Sequence, residues 1–398
     1  MSPPKPIIDP AGVDAVVAEA RRQGRVALDL EFLWERTYAP VACLAQLALP
    51  SGEVHIVDPI DGAPLGPVAE LVADPQVEVV MHAPSADLTL LGLAHGVRPQ
   101  RLVDVQIIAG FVGLGAGQGL ATLLQRVLKV RHDKGERYTD WSKRPLSAAQ
   151  LRYAAGDVDH LLELADELAA RGARLGRTDW IAEEHERRYG PQARLVPDPA
   201  TAWRRVKGGG RLTPQDRAVL ASIAAWRERE AARRDKPASW VVPDRTLVEM
   251  AHRRPADRQA LEGERGLPAR MRGDEADGLL RAIREGAEAP PIRGGSPPPP
   301  EVQQRLEVLG PLGAVLVTAR AAAADLAPSL VATRDEIAAF LAAAIDGDLD
   351  GQGLASGWRR DLVGDALVDL ARGRIALGVD PERPYLAEIP RGATGGGG

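Results

Sequence analysis

The N-terminal part of the chain alternates short apolar runs with helical patterns. The apolar runs have lengths and flanking residues typical of strands, and they are Arg25–Glu31, Val41–Leu49, Val54–Val57, Val77–Met81 and Leu102–Val105. A helical period indicates helices over Ser85–Ala94, Gly119–Leu128 and Ser147–Leu168. Because the first three strands follow at hairpin-like spacing and the later ones alternate with helices, we expect a mixed sheet flanked by helices.

The second half of the chain is predicted to be helical throughout. After the glycines that follow Lys207, Thr213 and Pro214 form a plausible cap and first turn. Helical patterns then cover Arg217–Arg234, Asp244–His252, Asp274–Glu285, Glu301–Leu326, Thr333–Ile345 and Trp358–Leu370. The proline-rich run Pro290–Pro300 indicates an extended linker. We therefore predict an α/β domain over residues 1–200 and two small all-α domains over residues 210–288 and 301–380.

Composition does not change this division into domains, but it limits the partners and the cellular compartment that we expect for the protein. The chain has 398 residues and a formal net charge of −5, so nucleic acid could be bound only through local basic patches. The single cysteine, Cys43, excludes a disulfide framework. No signal peptide or membrane-spanning run is evident, so we expect a soluble, cytoplasmic protein with no membrane partner. We also expect a monomer.

Two acidic side chains, Asp29 and Glu31, end the first predicted strand. The period of two places both on one face of that strand. Neighbouring carboxylates repel each other unless a cation lies between them, and hard oxygen ligands suit Mg²⁺ or Mn²⁺. An isolated Asp-x-Glu is nevertheless more often an ordinary solvated strand end.

Two further pairs are ambiguous when each is considered alone. Tyr153 and Asp157 lie one turn apart on a predicted helix, where the phenol could orient a metal-bound water or serve only in packing. His82 and Asp87 flank a predicted helix start. There Ser85 could act as the cap, Asp87 could complement the helix dipole, and His82 could be a buried core histidine.

The order of these pairs along the chain resembles the DEDDy exonuclease superfamily, and the surrounding residues resemble its ribonuclease D family more closely. The similarity includes Glu31-Phe32, Glu35-Arg36-Thr37-Tyr38-Ala39-Pro40, Cys43-Leu44-Ala45-Gln46-Leu47, Asp104-Val105-Gln106 and Asp140-Trp141-Ser142-Lys143-Arg144-Pro145-Leu146. It covers about residues 20 to 170 with motifs and continues more loosely to the C-terminus. Leu30 and Pro84 depart from the residues common in the family, but neither is a proposed ligand.

The resemblance implies a ribonuclease H-like fold and 3′→5′ hydrolysis of RNA with two divalent cations, Mg²⁺ or Mn²⁺. By the family pattern, Asp29, Glu31 and Asp157 hold one metal, while Asp29 bridges to a second that Asp87 supports. Tyr153 would position the nucleophilic water, which assigns the chain to the tyrosine branch. His82 is expected to be a positioning residue.

A basic segment, Trp203–Lys236, follows the predicted α/β domain. It carries ten Lys or Arg and four acidic residues. Arg204, Arg205, Lys207 and Trp226 are its candidate RNA-contacting residues, although a solvated helix face with core tryptophans explains the pattern equally well. Residues 213–285 resemble an HRDC domain, and residues 310–377 look like a more divergent copy. In the family such modules assist RNA binding.

The function expected from this sequence is trimming of precursor tRNA and other small structured RNAs from their 3′ ends. A DNA-acting 3′→5′ exonuclease is an alternative within the same chemistry. A catalytically silent RNA-binding protein is an alternative of another class, against which the presence of all four acids argues.

Overall fold

The protein is described by a computed structural model. The structure describes residues 4–132, 135, 139–263, 266–267, 271, 273–292, 299–380 and 386–391. Its N-terminal part contains a five-stranded sheet of β1 (Arg25–Leu33), β2 (Val41–Ala48), β3 (Val54–Val57), β4 (Glu78–Met81) and β5 (Leu102–Asp104). The strand order is β3-β2-β1-β4-β5, with β1 antiparallel to β2 and parallel to β4. The predicted strands and the mixed sheet are confirmed.

Eight helices accompany this sheet in the described part of the chain. They are α1 (Pro10–Gln23), α2 (Gly66–Val72), α3 (Ser85–His95), α4 (Val105–Phe111), α5 (Leu120–Val127), α6 (Ala148–Asp159), α7 (Leu161–Arg174) and α8 (Thr178–Tyr189). Alternate residues of β1, including Val26, Leu28 and Leu30, are buried in a core shared with α1, α2 and α3. Because successive side chains point to opposite faces, Asp29 and Glu31 lie on the other face, where α6 and α7 contact the sheet.

The helix predicted over Ser147–Leu168 is wrong in one respect, since it is two helices. His160 has φ −110° and ψ 12°, which ends α6 and begins α7. Helix α6 packs on β1, β2 and β3, whereas α7 packs on β4 and on α4. The break lets each half bury its apolar side against a different part of the domain, and it leaves Asp157 near the end of α6.

A second set of helices encloses its own core. It consists of α9 (Pro214–Arg234), α10 (Ala238–Val241), α11 (Asp244–Arg253), α12 (Arg258–Glu262) and α13 (Asp274–Glu288). Two 3₁₀ segments, Pro199–Arg205 and Gly209–Arg211, lead into it. The predicted cap is present, since the Thr213 side chain accepts a hydrogen bond from the backbone N–H of Asp216. Of the predicted linker Pro290–Pro300, residues 293–298 lie outside the described residues.

The C-terminal part adds a third, mainly helical unit. It consists of α14 (Pro300–Ala323), α15 (Pro328–Val331), α16 (Arg334–Asp346), α17 (Gly357–Arg359), a π-helical segment (Arg360–Gly364), α18 (Asp365–Ala371), β6 (Ile375–Val379) and β7 (Leu386–Pro390). The antiparallel pair of β6 and β7 corrects the expectation of helices alone. An isolated hairpin is marginal in water, and here Arg320 of α14 anchors it by donating to Glu388 at 2.7 Å and 2.8 Å.

The C-terminal unit packs against the α/β domain through aromatic rings. Trp358 meets Phe111 edge-on at 5.0 Å between ring centroids and stacks on Trp180 at 5.5 Å. Beside them, Arg359 donates to the buried carboxylate of Glu184 at 2.9 Å. The two units therefore share one core, which also contains Leu316 and Phe340.

By length and composition, helix α14 is long and apolar enough to cross a membrane. The sequence analysis found no uninterrupted apolar run of that length, and α14 includes the charged residues Glu307 and Arg320. Core helices of soluble proteins can have the same length and composition. Leu316, Val317 and Ala321 of α14 are buried in the core that includes α16 and α18.

Candidate active site

Three carboxylates meet where β1 passes beneath α6. Asp29 and Glu31 come from β1, and Asp157 comes from the last turns of α6. One oxygen from each lies within 4.8 Å of the other two, and all three residues are partly buried. The structure therefore brings together residues that are more than 120 positions apart in the sequence, as the sequence analysis expected.

The electrostatics of this cluster show strong mutual repulsion. Burial, followed by the charges of Asp87, Asp157 and Glu31, holds the pKa of Asp29 well above its usual range. Burial and the charges of Asp157 and Asp87 raise the pKa of Glu31 to about 8. Bound divalent cations would offset these charges, and carboxylate oxygens are the hard ligands that Mg²⁺ and Mn²⁺ prefer. The chemistry of the donor set thus fits such ions.

Asp87 lies beside the three carboxylates rather than among them. It belongs to the first turn of α3 and is 7% exposed. Burial raises its pKa to about 7, while the backbone amides of Asp87 and Leu30 act in the opposite direction. Its charge is the largest single contribution from a neighbouring group to the raised pKa of Asp29. Pro84, not Ser85, occupies the N-cap position of α3, so Ser85 does not have the capping role considered for it.

Tyr153 lies one turn before Asp157 on α6. Its ring is tilted against Trp141 at 6.0 Å and meets His132 edge-on at 5.6 Å. Trp141 is 3% exposed and belongs to the run Asp140–Leu146. In the same run, Arg144 donates through Nε to Asp58 at 2.7 Å and through Nη2 to the carbonyl of Cys43 at 3.0 Å. Through Trp141, this run therefore packs against the Tyr153 ring.

His132 is a residue of the site that the sequence analysis missed. Its Nε2 lies 2.9 Å from Oδ1 of Asp157, and its side chain is only 6% exposed. It follows α5 in a loop, so no fixed spacing connects it with Asp157. His160, the histidine next to Asp157 in the sequence, instead faces Glu163 at 3.4 Å and Asp159 at 3.8 Å.

Gln46 provides a second polar group beside the carboxylates. It is the cross-strand partner of Asp29 and is fully buried, so its side chain lies on the same face of the sheet. Neither atom of its amide has a hydrogen-bond partner within the described parts of the chain. A buried amide in that condition is costly, and its position next to three hard-oxygen donors fits a site that holds hydrated cations. Gln46 belongs to a run that carried the family resemblance, although no role was assigned to it.

His82 does not join the acidic cluster through any contact described for it. Its Nε2 lies 2.9 Å from the backbone carbonyl of Gln118, to which Gln106 also donates at 3.1 Å. The residue after it, Ala83, has a positive φ of 54° and donates its N–H to Asp104 at 2.9 Å. His82 thus contacts the residues that lead into α5.

The basic candidates have different surroundings. Arg204 is exposed with its guanidinium 5.5 Å from the centre of the Trp203 ring, and Arg205 is exposed with Glu228 at 3.4 Å. Lys207 is also exposed. Trp226 corrects the prediction, because it is 9% exposed and packs in the core of α9 and α13, where Gly278 adjoins its indole nitrogen. It cannot offer a ring face to RNA in this arrangement.

Comparisons with known proteins agree with the fold. Residues 4–172 match the 3′-5′ exonuclease family and residues 216–283 match the HRDC domain. Ribonuclease D of Gluconacetobacter diazotrophicus is 38% identical over 378 residues, covering 92% of this chain and 93% of that protein. Ribonuclease D of Acidiphilium cryptum is 35% identical over 377 residues, covering 92% of each.

A solved structure extends this likeness to three dimensions. The crystal structure of Escherichia coli RNase D, an exoribonuclease involved in structured RNA processing, has a TM-score of 0.76 and 26% identity, covering 93% of this chain and 99% of that one. The fold and the matched families define a hydrolase that acts as a 3′→5′ exonuclease. This chain belongs to the ribonuclease D family and is an exoribonuclease.

Proposed function

We propose that this exoribonuclease trims the 3′ ends of precursor tRNA and other small structured RNAs and releases nucleoside 5′-monophosphates. The observation that carries the proposal is the convergence of Asp29, Glu31 and Asp157 within 4.8 Å, with Asp87 alongside. The Escherichia coli relative is described as acting in structured RNA processing, which supports this class of substrate. We place the enzyme in the cytoplasm as a monomer.

The carboxylates would hold two divalent cations, Mg²⁺ or Mn²⁺. Asp29, Glu31 and Asp157 would bind one, and Asp29 and Asp87 would bind the other. When bound, such ions supply a nucleophilic water of lowered pKa and stabilise charge on the attacking and leaving oxygens. The raised pKa values of Asp29 and Glu31 support this assignment, because the fold keeps like charges close together at a cost in stability.

Tyr153 would orient the attacking water through its hydroxyl. Trp141 and His132 contact the ring in the middle of α6, one turn before Asp157. A fixed phenol can align a water without itself taking the proton. No histidine base is required in this scheme.

The remaining parts of the chain would bind the RNA body. We propose the exonuclease domain over residues 1–200, the HRDC domain over residues 210–288 and a divergent HRDC-like domain over residues 301–380. Exposed Arg204, Arg205 and Lys207 supply positive charge close to the HRDC domain. Since the acidic site itself repels phosphate, a separate basic surface makes the RNA easier to capture.

The test uses 5′-labelled single-stranded RNA and a precursor tRNA with a 3′ extension. We expect both to shorten from the 3′ end only when Mg²⁺ or Mn²⁺ is added, with nucleoside 5′-monophosphates as products. Asp29→Asn removes a ligand shared by both cations, so activity should fall by at least about 100-fold while RNA binding persists. An Asp29→Asn protein with full activity would disprove the site.

Two controls separate the proposal from its alternatives. Glu35→Gln changes an exposed carboxylate near the end of β1 and should keep full activity. DNA of the same sequence should be degraded more slowly than RNA, and faster loss of DNA would favour a DNA substrate instead. Unshortened precursor tRNA beside degraded single-stranded RNA would reject the proposed natural substrate while leaving the chemistry intact.

A further inference from the structure

The segment that leaves the catalytic strand carries an exposed aromatic ring. Trp34 follows the last residue of β1 and is 44% exposed. It comes three residues after Glu31, and three residues of extended chain span at most about 10 Å. The Cα atom of Trp34 therefore lies within about 10 Å of that of Glu31, which is one of the clustered carboxylates.

Helix α9 holds this segment in place across the boundary between the α/β domain and the second helical unit. Tyr38 donates through its hydroxyl to Glu228 at 3.1 Å. The backbone amides of Tyr38 and Ala39 both donate to Oδ1 of Asp235, at 2.9 Å and 3.3 Å. Tyr38 also packs against the core of the second unit. Glu228 in the C-terminal half of α9 and Asp235 at its C-cap thus anchor the segment by side chain and by backbone.

The same contacts determine how Trp34 is held. Its indole nitrogen donates to the backbone carbonyl of Tyr38 at 3.0 Å. That bond satisfies the only polar group of the side chain, so the rest of the ring offers carbon surface alone to a partner. An indole held at one edge with its surface exposed is suited to stacking on a flat partner.

The charged residues nearby favour an RNA base as that partner. Arg36 is exposed two residues further along the segment. Arg205 is 58% exposed and reaches the carboxylate of Glu228 that also binds Tyr38. Cationic groups next to an aromatic ring suit single-stranded RNA, whose backbone is anionic and whose bases stack. An apolar protein partner fits less well, because Glu35 and Arg36 interrupt the apolar surface.

We propose that Trp34 stacks on a base of the RNA strand entering the active site, and that helix α9 positions it through Tyr38. This inference rests on the proposed function, since it requires an RNA 3′ end at the carboxylates. It assigns the HRDC domain a second task, which is to shape the entry to the site as well as to supply charge. Trp34 is a substrate-binding residue here, and Tyr38 is a positioning residue.

The first experiment compares Trp34→Ala with Trp34→Phe and with Glu35→Ala. Binding of single-stranded RNA is measured in the Asp29→Asn background, and KM and kcat are measured in the otherwise unchanged enzyme. Loss of one stacked base should raise the dissociation constant about 5-fold to 100-fold in Trp34→Ala, with most of the kinetic loss in KM. Trp34→Phe should recover most of the binding, and Glu35→Ala should resemble the wild type.

The second experiment identifies the base. An abasic nucleotide is moved one position at a time from the 3′ end of the RNA. When the abasic nucleotide reaches the stacked position, the dissociation constant of the wild type should rise to that of Trp34→Ala on intact RNA. At this position, combining the abasic nucleotide with Trp34→Ala should raise the dissociation constant no further than either change alone. If the effects of Trp34→Ala and of the abasic nucleotide on the dissociation constant added at every position, the proposal would be overturned. Unchanged RNA binding by Trp34→Ala would overturn it as well.

The positioning role of Tyr38 is tested by measuring KM for the variant Tyr38→Phe. Tyr38→Phe removes the hydroxyl bond to Glu228 but keeps the ring in the core, so the fold should persist. We expect a smaller rise in KM than for Trp34→Ala, and little further loss when the two changes are combined. If the wild-type enzyme degraded no RNA, the proposed function would fail. If it degraded RNA and Trp34→Ala did so with the same KM, only this inference would fail.

Discussion

Nε2 of His132 lies 2.9 Å from Oδ1 of Asp157, so the loop after α5 reaches the carboxylate cluster. The two side chains meet although the loop carries no motif that indicates the contact. A cation that takes Oδ1 as a ligand must share this oxygen with the imidazole or displace it. His132 therefore influences how readily Asp157 becomes available to a metal.

His132→Ala tests this competition. Removing the imidazole leaves Oδ1 of Asp157 open to a cation, so we expect half-maximal activity at a lower Mg²⁺ concentration than in the wild type. The shift should be several-fold, which corresponds to about 1 kcal/mol. Titration of activity against Mg²⁺ measures it, with His160→Ala as the matched change outside the cluster. A higher Mg²⁺ requirement in His132→Ala would instead show that the imidazole holds Asp157 in its binding position.

Tyr153→Phe removes one hydroxyl and leaves the packed ring. Because the ring contacts Trp141 and His132, the variant should retain the wild-type melting temperature within a few degrees. Misalignment of the attacking water should lower kcat by about 100-fold with little change in RNA affinity. Single-turnover hydrolysis and RNA binding measured side by side check this, and wild-type kcat in Tyr153→Phe would remove Tyr153 from the mechanism.

The carboxylate cluster predicts a dependence of stability on pH when no metal is bound. The pKa of Glu31 is raised from 4.5 to about 8, and that of Asp87 from 3.8 to about 7, chiefly by burial. At pH values between the ordinary and the raised pKa of each group, the folded protein binds more protons than the unfolded chain. The contribution of Glu31 and Asp87 to the free energy of unfolding is therefore largest below their unfolded pKa values and is lost as pH rises through about 7 and about 8.

Thermal melts in a chelator should show this directly. From about pH 5 to about pH 8.5 we expect the melting temperature to fall, and added Mg²⁺ should restore most of it at the upper end. Glu31→Gln cannot ionise at this position, so its melting temperature should decline less over the same range. Equal slopes with and without Mg²⁺ would contradict the assignment of cations to this cluster.

The ion pair between Arg359 and Glu184 joins the C-terminal unit to α8 of the α/β domain, so breaking it should lower the free energy of unfolding. Arg359 is 8% exposed and also donates to the carbonyls of Leu330 and Val331. Arg359→Met would leave the buried carboxylate with weaker compensation, at a cost of about 3–5 kcal/mol. Arg187 binds the same carboxylate at 2.6 Å but is 51% exposed, so Arg187→Met should cost about 1 kcal/mol or less. Chemical denaturation of both variants measures the difference, and equal losses would contradict this ranking.

Much of the α/β domain could be predicted because its signals are local. Short apolar runs between turn residues were sufficient to predict all five strands of the central sheet, and Thr213 correctly marked the start of α9. The spacing of Asp29 and Glu31 placed both on one face of a strand, since the period of two is a property of the backbone. Gathering the four acids into one site relied on resemblance to a family, because no single pair was decisive.

Other features depended on contacts between distant segments. The hydrophobic pattern runs through His160 without interruption, yet the two halves of that stretch pack on different surfaces and form two helices. Trp226 lies in a basic stretch, but packing of α9 against α13 buries it. The hairpin of β6 and β7 likewise depends on Arg320 of a remote helix.

The sequence by itself determined the strands, most helices and the acidic residues available for metal binding, because these follow from periodicity and residue chemistry within short windows. Only the tertiary structure decided that His132 and Gln46 adjoin those acids and that Tyr38 joins α9 to the segment after β1. Such contacts depend on where whole elements pack. Their free energy comes from surfaces that meet only after the chain has folded.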